Sequence, residues 1–598
     1  MQLKAGTRSS KLALTQTKGG LDKITELIPE LSFKMVEFSS PGDRDRQTDL
    51  RTSDSNFFTK DLDEAVLNGD IDCAVHSAKD MPDPIPEGID WVWLPWNEDP
   101  RDALILQKGK TIADLPEEPV AGISSDRREE WCLSRFPNAK IKSIRGNIEE
   151  RMAQLETGDY DLVVMASAAL FRLGHEDWIT EMIPADELPA PPGQGYLAIT
   201  FRSDNQVMKK LRGLFVKAVT FAGSGIGTEE NTTLGTIRAL RNCDVCLYDS
   251  LMPQELLKHL PETAEYIDAG KRCGDHHMNQ DEINSKLQEV ARQGKRVVRL
   301  KGGDPTIFGR LAEEVEALDA LEMPYRVLPG VSSLNTASAS TGILLTRRGV
   351  SRGFSVMTPR QKGGGLASID SDARSKLPIV FFMAAQAADE VVQQLISDGL
   401  APDTPSALVY SAGTEKEETI RCTLSEVPAK ADEMKGEKPR PAILVIGEVA
   451  DFSFTPHGAF QGRKILLTCS EILQEKASLI TTDLGGKPIN MPLIDLAPTG
   501  EAYDRLENVT DYDWLTLTSP SAVRCFLDVF CCLDSEPDFR KMPSIMVCGT
   551  GTASEFRNNG FEPDIMPESG FSAESLIDAA KGKLKKGAKI LRLRSDKA

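Results

Sequence analysis

The stretch Arg299–Arg310, RLKGGDPTIFGR, places bare glycine backbone and a carboxylate directly after an apolar run. Gly302 and Gly303 carry no side chain, so a ligand can lie against their peptide groups. Asp304 is a residue type that caps a following helix. The pattern predicts a strand, a glycine turn and a helix, at residues 296–300, 302–303 and 307–321. Such a turn can hold a nucleotide at the carboxyl edge of a sheet, although an ordinary strand–helix turn has the same residues.

Basic residues recur at strand ends and helix starts through the first 205 residues of a chain that is acidic as a whole. They lie in the stretches AGTRSSKLALTQT, VHSAKDMPDPIP, GISSDRREEW and SIRGNIEERM, as Arg8 with Ser10, Lys79 with Asp80, Arg127 with Arg128, and Arg145 with Arg151. Guanidinium groups pair with carboxylates in a fork, and helix N-termini favour anions. The pattern predicts a small ligand rich in carboxylates. Ordinary surface arginines are the alternative.

The elements that must position these residues alternate between strand-like and helix-like runs, which is typical of α/β layers. A chain of 598 residues is too long for one core, and roughly three to five domains are expected. We place three α/β domains at residues 1–205, 217–455 and 462–598.

Composition excludes several classes of function. The formal charge of −20 predicts poor binding of nucleic acid and of anionic membranes, and no apolar run approaches the length of a membrane span. Eleven cysteines are scattered through the chain, and Cys243 and Cys246 lie in one apolar run without a second pair. Buried thiols are therefore expected there rather than zinc or redox chemistry, and no metal site is predicted. A reducing cytoplasm is the expected compartment.

Four further motifs accompany the glycine turn, in the order found in a known family. They are LYDSLM at Leu247–Met252, GKRCG at Gly270–Gly274, LPGVSSLNTASASTGILLTRRG at Leu328–Gly349 and PAILVIGEVA at Pro441–Ala450. The segment from about Val219 to Phe452 thus resembles the tetrapyrrole methyltransferases, and specifically uroporphyrinogen-III C-methyltransferase. The resemblance implies a two-lobed tetrapyrrole methylase fold, S-adenosyl-L-methionine as methyl donor, and a homodimer.

The same resemblance implies roles for individual residues. Asp249 would be the proton acceptor and Lys271 a second active-site residue, because methylation of a pyrrole carbon requires a proton to leave. The methyl donor would contact Gly225, Ile226, Gly302, Gly303, Asp304, Ile307, Ser332, Ser333, Met383 and Gly413. A helix-capping role is the alternative for Asp249, Ser332 and Ser333.

One motif departs from the family. Where family members typically read GAGPGDPELLTL, this chain reads GSGIGTEENTTL at Gly223–Leu234. Ile226 replaces proline, and Thr228 replaces the acidic residue. The glycines still permit the tight turn, while a charge near the site is lost.

The first segment is similar to porphobilinogen deaminase (hydroxymethylbilane synthase), through GTRSSKLA, NFFTKDLDEAV, DCAVHSAKDMP, EDPRDAL, IRGNIEERM and LPAPPGQGYLAI. The resemblance implies a two-lobed fold like that of periplasmic binding proteins, with Asp80 as the catalytic carboxylate. It also implies that the acetate and propionate groups of a pyrrole chain are held by Arg8, Ser10, Lys60, Lys79, Ser125, Arg127, Arg128, Arg145 and Arg151.

The family's third lobe, whose cysteine carries the covalent dipyrromethane primer, has no counterpart between Phe201–Asn205 and the methyltransferase-like segment. No cysteine lies between Asn205 and Val219. The dipyrromethane cofactor therefore lacks its attachment lobe. The segment is expected to be an inactive remnant or to bind tetrapyrrole precursors without polymerising them.

The last segment resembles uroporphyrinogen-III synthase in DYDWLTLTSPSAVRCF, VCGTGTASEFRNNGFEPDIMPESGFSAESLI and KILRLRSDKA. The resemblance implies a flavodoxin-like lobe, of which about half of the two-lobed fold is expected here. Ser519 and Thr552, at two expected strand ends, would contact substrate propionates or cap helices.

Together these resemblances predict an S-adenosylmethionine-dependent enzyme that methylates uroporphyrinogen III at C2 and C7 to give precorrin-2, fused to deaminase-like and synthase-like modules. Another precorrin methyltransferase is an alternative within enzymes. A non-catalytic tetrapyrrole-binding scaffold is the alternative outside them. The expected partners are small tetrapyrroles, with no nucleic acid and no membrane.

Overall fold

The computed structural model of the protein consists of strands and helices in close alternation. The residues it describes are 1–39, 58–250, 252–270, 278–359, 377–436, 440–454, 457–494, 496–531 and 542–594. The chain forms two compact units, Met1–Asp451 and Phe452–Ala598. None of the helices in these described ranges has the length and apolar character needed to cross a bilayer. The domain limits 217–455 and 462–598 remain predictions.

Two five-stranded sheets carry the first 205 residues. Their strands are β1 (Gln2–Arg8), β2 (Ser32–Phe38), β3 (Cys73–Ser77), β4 (Ile89–Trp93), β5 (Asp102–Leu106), β6 (Val120–Ile123), β7 (Lys140–Ser143), β8 (Leu162–Ala166), β9 (Ile179–Met182) and β10 (Leu197–Arg202). The helices here are α1 (Lys11–Leu27), α2 (Lys60–Asn68), α3 (Asp126–Arg135), α4 (Ile148–Glu156) and α5 (Ser167–Leu173), and α6 (Gln206–Phe215) follows. The sheet orders are β2-β1-β3-β10-β4 and β7-β6-β8-β5-β9. This is the two-lobed arrangement expected from the sequence.

Two further five-stranded sheets follow. Their strands are β11 (Val219–Gly223), β12 (Val245–Tyr248), β13 (Glu265–Asp268), β14 (Val297–Lys301), β15 (Tyr325–Leu328), β16 (Ser355–Met357), β17 (Ile379–Phe382), β18 (Pro405–Tyr410), β19 (Glu418–Thr423) and β20 (Ala442–Ile446). The helices are α7 (Leu234–Leu240), α8 (Gln280–Arg292), α9 (Leu311–Asp319), α10 (Ser333–Thr341), α11 (Ala388–Ser397) and α12 (Val427–Glu433). The orders are β13-β12-β14-β11-β15 and β16-β17-β20-β18-β19.

The β13-β12-β14-β11-β15 sheet is parallel throughout. Its three inner strands are buried along their whole length, and their sequences are largely apolar, with Arg299 and Lys301 of β14 as buried basic exceptions. Because all strands point the same way, the loops that leave β11, β12, β14 and β15 lie at one edge of the sheet. That edge brings together the glycine turns and Asp249.

The local prediction around the glycine turn was partly wrong. The strand is β14, displaced by one residue from the expected 296–300, and the helix α9 begins at Leu311 rather than at 307. Asp304 does not cap α9. Its carboxylate accepts hydrogen bonds from the Thr306 backbone N–H at 2.8 Å and the Gly330 backbone N–H at 3.2 Å, because residues 305–309 form a separate turn before the helix.

Helix α6 joins the first segment to the second through a shared apolar core and a buried ion cluster. The Asp90 carboxylate in β4 accepts hydrogen bonds from Arg212 of α6 and, at 2.8 Å, from the Nε–H of Arg292 of α8. Arg212 also donates to the Leu321 backbone carbonyl. Asp90 and Arg212 are 3% and 1% exposed, so this carboxylate depends on cations supplied by the linker helix and the next segment.

The second unit, residues 452–598, has two small parallel sheets. The strands are β21 (Lys464–Leu467), β22 (Lys487–Asn490), β23 (Trp514–Leu517), β24 (Ser544–Val547) and β25 (Ile590–Leu593), in the orders β21-β22 and β24-β23-β25. The helices are α13 (Glu471–Asp483), α14 (Gly500–Glu507), α15 (Pro520–Cys531), α16 (Thr550–Asn558) and α17 (Ala573–Ala580). The parallel pairing agrees with the expected flavodoxin-like lobe.

Replacement of Asp90 by alanine is expected to lower the free energy of unfolding by about 3–5 kcal/mol, because it leaves two buried guanidinium groups without their shared counter-ion. The control is Glu322→Gln, which removes a carboxylate 57% exposed that pairs with Lys209 at 2.8 Å. Loss of this exposed pair is expected to cost less than about 1 kcal/mol. Urea unfolding of the full chain, followed by tryptophan fluorescence, measures both, and equal losses would contradict the role given to Asp90.

Asp63 in α2 gives the first unit a pH-dependent stability. Burial raises the pKa of this carboxyl, 4% exposed, to about 6. Because the pKa is higher in the folded state, protonated Asp63 contributes its full stabilisation below pH 3.8, and this contribution is lost as pH rises through 6. Asp63→Asn is therefore expected to raise the free energy of unfolding at pH 8 by up to about 3 kcal/mol and to change it little at pH 3.5. A pH series of thermal unfolding midpoints tests this, and equal effects at both pH values would refute it.

Candidate functional site

The floor of the first candidate site is a hydrogen-bonded chain from Lys79 through Gln194 to Asp102. The Lys79 ammonium donates to the Gln194 side-chain oxygen at 3.2 Å, and the Gln194 amide donates to Asp102 at 3.1 Å. Gln194 and Asp102 are 2% and 0% exposed. A Cβ on Gly193 would lie 2.8 Å from the Lys79 backbone nitrogen, so glycine is what lets the Gln194 loop approach Lys79.

Asp102 also holds the double arginine at the start of α3. Its carboxylate pairs with Arg127 and, at 2.7 Å, with Arg128. Burial would raise the pKa of Asp102, but Arg128 and Arg127 outweigh burial and keep the pKa below its ordinary value. The surface-arginine alternative is therefore wrong for Arg128, which is 7% exposed.

Several cationic groups act on one another at this place. Desolvation and the charges of Arg128 and Arg145 together lower the pKa of Arg151 to about 10. Desolvation also lowers the pKa of Lys79, while Asp80 raises it and Arg128 lowers it. The Lys79 side chain is exposed, so water offsets part of the effect of burial on its pKa. This electrostatic arrangement favours an added anion.

Two buried polar atoms in the same place have no hydrogen-bond partner within the described ranges. They are the Ser125 hydroxyl oxygen and the Arg128 Nε–H. Buried polar groups are normally satisfied, so an unsatisfied donor and hydroxyl at a cationic site point to a bound group. A carboxylate is the group that this pair can hydrogen-bond.

The other residues expected at this site are distributed less closely. Arg8 ends β1 and lies over the Phe58 ring, 4.4 Å from its centroid. Ser10 caps α1, accepting from the Ala13 backbone N–H at 3.3 Å, and Lys60 is exposed at the start of α2. Asp80 ends a short 3-10 turn directly after Lys79 and is partly exposed.

The second candidate site is built on a crossing of three glycine loops at the edge of the parallel sheet. Gly225 and Gly303 exchange backbone hydrogen bonds of 3.2 and 3.0 Å. A Cβ on Gly330 would lie 2.0 Å from the Gly303 carbonyl oxygen and 2.8 Å from the Gly223 Cα. A side chain at Gly223 or at Gly330 would not fit in this approach. Gly302 enters the crossing from β14.

Loops of the β16-β17-β20-β18-β19 sheet, which contains antiparallel strands, lie against this crossing. A Cβ on Gly227 would lie 2.2 Å from the Gly413 carbonyl oxygen, and the Phe308 and Phe382 ring centroids are 5.1 Å apart. Met383, directly after β17, is 63% exposed with φ of 57°, and Ile307 is 40% exposed. Two exposed apolar side chains near bare backbone form a surface suited to a flat apolar group.

The Ile226 and Ser332 positions lie against the crossing. A Cβ on Gly303 would be 3.6 Å from Ile226 Cγ1 and 3.7 Å from Ser332 Cα. Ser332 caps α10 by accepting from the Leu334 backbone N–H at 3.3 Å, and Ser333 is the first residue of that helix. The helix-start alternative is thus correct in geometry, and it leaves these serines at the same cleft.

Asp249 lies beyond the end of β12, at the same sheet edge, with its side chain 30% exposed. Its Oδ1 accepts a hydrogen bond of 2.6 Å from Arg299, whose side chain is buried in β14. The carboxylate is therefore fixed in place with one face open. Lys271, the expected second active-site residue, lies outside the described residues.

Other expected residues have structural roles. Cys243 and Cys246 are buried thiols, as predicted, and burial raises their pKa values to about 11 and 12. Ser519 caps α15 by accepting from the Ala522 backbone N–H at 3.2 Å. Thr552 does not lie at a strand end: it is inside α16 and 4% exposed, so it is not available to a propionate. The described part of the chain contains no group of three or more His, Cys, Asp or Glu side chains placed to hold a metal.

Sequence reasoning missed Asp102, Gln194, Arg299 and Glu314 as site residues. The signal for Arg299 was present, because a basic residue inside the apolar strand sequence VVRLK must find a buried partner. For Asp102 and Gln194 no local signal exists, since their partners come from distant parts of the chain.

Comparison with known proteins assigns these sites to a class. The profile of the porphobilinogen deaminase dipyrromethane-cofactor-binding domain matches residues 3–210. The profile of tetrapyrrole (corrin/porphyrin) methylases matches residues 218–428, and that of uroporphyrinogen-III synthase HemD matches residues 475–598. The fold and sites thus define a protein of tetrapyrrole biosynthesis.

Parts of this chain are similar to individual relatives and to a solved structure. A porphyrin biosynthesis protein HemD of Ruminiclostridium josui is 33% identical over 363 residues, 58% of this chain and 71% of that protein. The porphobilinogen deaminase of Bacillus subtilis is 40% identical over 36% of this chain and 70% of its own length. A crystal structure of uroporphyrin-III C-methyl transferase from Thermus thermophilus, complexed with S-adenyl homocysteine, shares 33% identity over 39% of this chain and 98% of its own, with a TM-score of 0.33.

This chain belongs to the family of fused tetrapyrrole-biosynthesis proteins that carry a porphobilinogen deaminase domain, a tetrapyrrole methylase domain and a uroporphyrinogen-III synthase domain in that order. Its middle segment is a tetrapyrrole methyltransferase.

The glycine crossing should be sensitive to a single methyl group. In Gly330→Ala the new Cβ meets backbone atoms that cannot move aside, so we expect the free energy of unfolding to fall by about 1–3 kcal/mol. The matched control is Gly235→Ala in α7, where the nearest atom would be 3.7 Å away and stability should rise by up to about 1 kcal/mol. Denaturant titration of both variants measures the difference. Equal effects would show that the crossing tolerates a side chain.

Proposed function

We propose that this protein transfers methyl groups from S-adenosyl-L-methionine to C2 and C7 of uroporphyrinogen III, giving precorrin-2. The observation that carries the proposal is the position of Asp249, a fixed carboxylate with one open face, at the same sheet edge as the glycine crossing. A homodimer and a cytoplasmic location belong to the same proposal.

The residues at the crossing fit the methyl donor. The partly exposed backbone at Gly302 and Gly413 suits the amine and carboxylate of a methionine moiety, and Met383 and Ile307 suit the adenine ring. Gly225 and Gly303, whose backbone N–H and carbonyl groups bond to each other, shape the turn beside it. Ile226, which replaces the family's proline, lies beside Gly303, where an added Cβ would be 3.6 Å from Ile226 Cγ1. When bound, S-adenosylmethionine supplies an electrophilic methyl group, so no metal is needed for this step.

Asp249 is suited to the proton that the reaction must release. A pyrrole carbon that gains a methyl group becomes part of a cationic ring system, and neutrality returns when a neighbouring carbon loses a proton. An ionised carboxylate stabilises the cation and can then accept that proton. Arg299 holds Asp249 through Oδ1, which leaves Oδ2 available for this work.

The cationic site of the deaminase domain supports a second, separate part of the proposal. Lys79, Arg128, Arg145 and Arg151 would hold the acetate and propionate groups of a pyrrole chain, with Ser125 and the Arg128 Nε–H as specific contacts. Asp80 would serve as the catalytic carboxylate if the domain turns over. A dipyrromethane group fits the donor set, although no cysteine between Asn205 and Val219 is available to anchor it.

Anaerobic incubation of the full chain with uroporphyrinogen III and methyl-labelled S-adenosylmethionine tests the proposal by mass analysis of the tetrapyrrole. Gain of two methyl groups is expected. Asp249→Asn keeps the side-chain shape and removes the proton acceptor, so the rate should fall by at least about 100-fold. Asp244→Asn is the matched control, because Asp244 lies just before the same strand β12, at its opposite end. Its carboxylate accepts the Arg296 backbone N–H at 2.7 Å and pairs with Lys217 at 3.5 Å.

Absence of methyl gain by a folded chain that binds S-adenosylmethionine would overturn uroporphyrinogen III as the substrate. Methyl gain by another precorrin in the same assay would then favour the related methyltransferase. Binding of the tetrapyrrole without any transfer would favour a scaffold.

A further inference from the structure

A buried chain of charges runs from Asp249 into the protein interior. Arg299 bridges two acids: its Nη2 donates to Asp249 at 2.6 Å, and its Nε and Nη2 donate to the two oxygens of Glu314 in α9 at 3.1 and 3.2 Å. Lys301, two residues further along β14, pairs with the same Glu314. Arg299, Lys301 and Glu314 are 2%, 3% and 0% exposed.

The charges in this chain balance only as a set of four. Two cations and two anions sum to zero when both acids are ionised, and three of the four groups are shut away from solvent. Burial lowers the pKa of Lys301, as does Arg299, while Glu314 raises it. Arg299 has a raised pKa, because Asp249 and Glu314 outweigh its burial.

Buried charges of this kind are costly to keep for stability alone, since well-packed apolar residues often replace them without loss. Asp249 is the one member of this set of four that is partly exposed. Each interior charge therefore acts on the proton affinity of Asp249 through low-dielectric surroundings. Arg310 and Glu313, at the same end of α9, are exposed and pair with each other at 2.6 Å.

We infer that Glu314 and Lys301 are positioning residues that set the proton affinity of Asp249 through Arg299. This inference rests on the proposed function of Asp249. Glu314 fixes the orientation of the Arg299 fork, and Lys301 cancels the charge of Glu314. Asp249 then faces one net positive charge from the protein interior.

The test is a charge-balance series in the full-length protein. Glu314→Gln leaves an extra buried positive charge and should lower the pH midpoint of Asp249 titration by about one unit, while Lys301→Met leaves an extra negative charge and should raise it by a similar amount. The double variant Glu314→Gln/Lys301→Met restores neutrality, and its midpoint should return to within a few tenths of a unit of the wild type.

Two readouts follow the series. The first needs no substrate: at each pH, the thermal unfolding midpoint of a variant is compared with that of its Asp249→Asn counterpart, and the pH dependence of the difference reports Asp249 titration. The second is the pH dependence of single-turnover methyl transfer, with the Kd for S-adenosylmethionine expected to stay within about threefold of the wild type. If Glu314→Gln does not fold, Lys301→Met and the double variant still give the comparison.

Opposite shifts in the singles and recovery in the double would establish the positioning role. Identical midpoints, or shifts in one direction for all three variants, would overturn it, because a purely structural role lowers stability without reversing the sign of a titration. Absence of methyl transfer in the wild type together with opposite shifts in the first readout would reject the substrate and keep the inference. Normal methyl transfer by the wild type together with identical titration midpoints in all variants would keep the substrate and reject the inference.

Discussion

Contact between backbones at the edge of the parallel sheet is the constraint on which the methyltransferase site depends. Three loops from β11, β14 and β15 meet at Gly223, Gly303 and Gly330, at distances that exclude a side chain on Gly223 and on Gly330. The crossing sets where β14 and its loop end, and Asp249 lies at the same edge because β12 neighbours β14. The packing at this edge of the sheet therefore determines the geometry of the site, and a change in the packing would change the geometry.

Buried acids organise the cations of both sites. In an overall acidic chain, Asp102 holds Arg127 and Arg128 at the deaminase site, and Glu314 holds Arg299 and Lys301 at the methyltransferase site. In each case a fully buried carboxylate faces two basic side chains. The two arrangements differ: at the first site Arg128 and Arg145 act on the buried Arg151, while at the second the partly exposed carboxylate of Asp249 completes the balance of charge. The first arrangement suits the proposed binding of an anion, and the second suits the proposed proton transfer.

The sequence was sufficient for those features that local rules determine. Alternating apolar runs predicted the α/β sheets, and the glycine motifs predicted where bare backbone would gather. The start of α9 was misplaced because the turn at 305–309 is set by tertiary contacts, among them the packing of Phe308 on Phe382, and not by the capping preference of Asp304. Asp102 and Gln194 could not be found, because their importance lies in partners 25 to 115 residues away. Glu314 reads as a surface residue of an acidic helix until its distance to Arg299 is known.

The Asp90 cluster has a consequence for how such fusions arise and persist. Its carboxylate belongs to the deaminase domain, while one of its two cations sits in the linker helix and the other in the methyltransferase domain. A gene split at the linker would separate Asp90 from Arg292 and would expose these charges, and the apolar core that the two segments share, to water. The two domains are therefore held together by their folding stability, whether or not each of them is catalytically active.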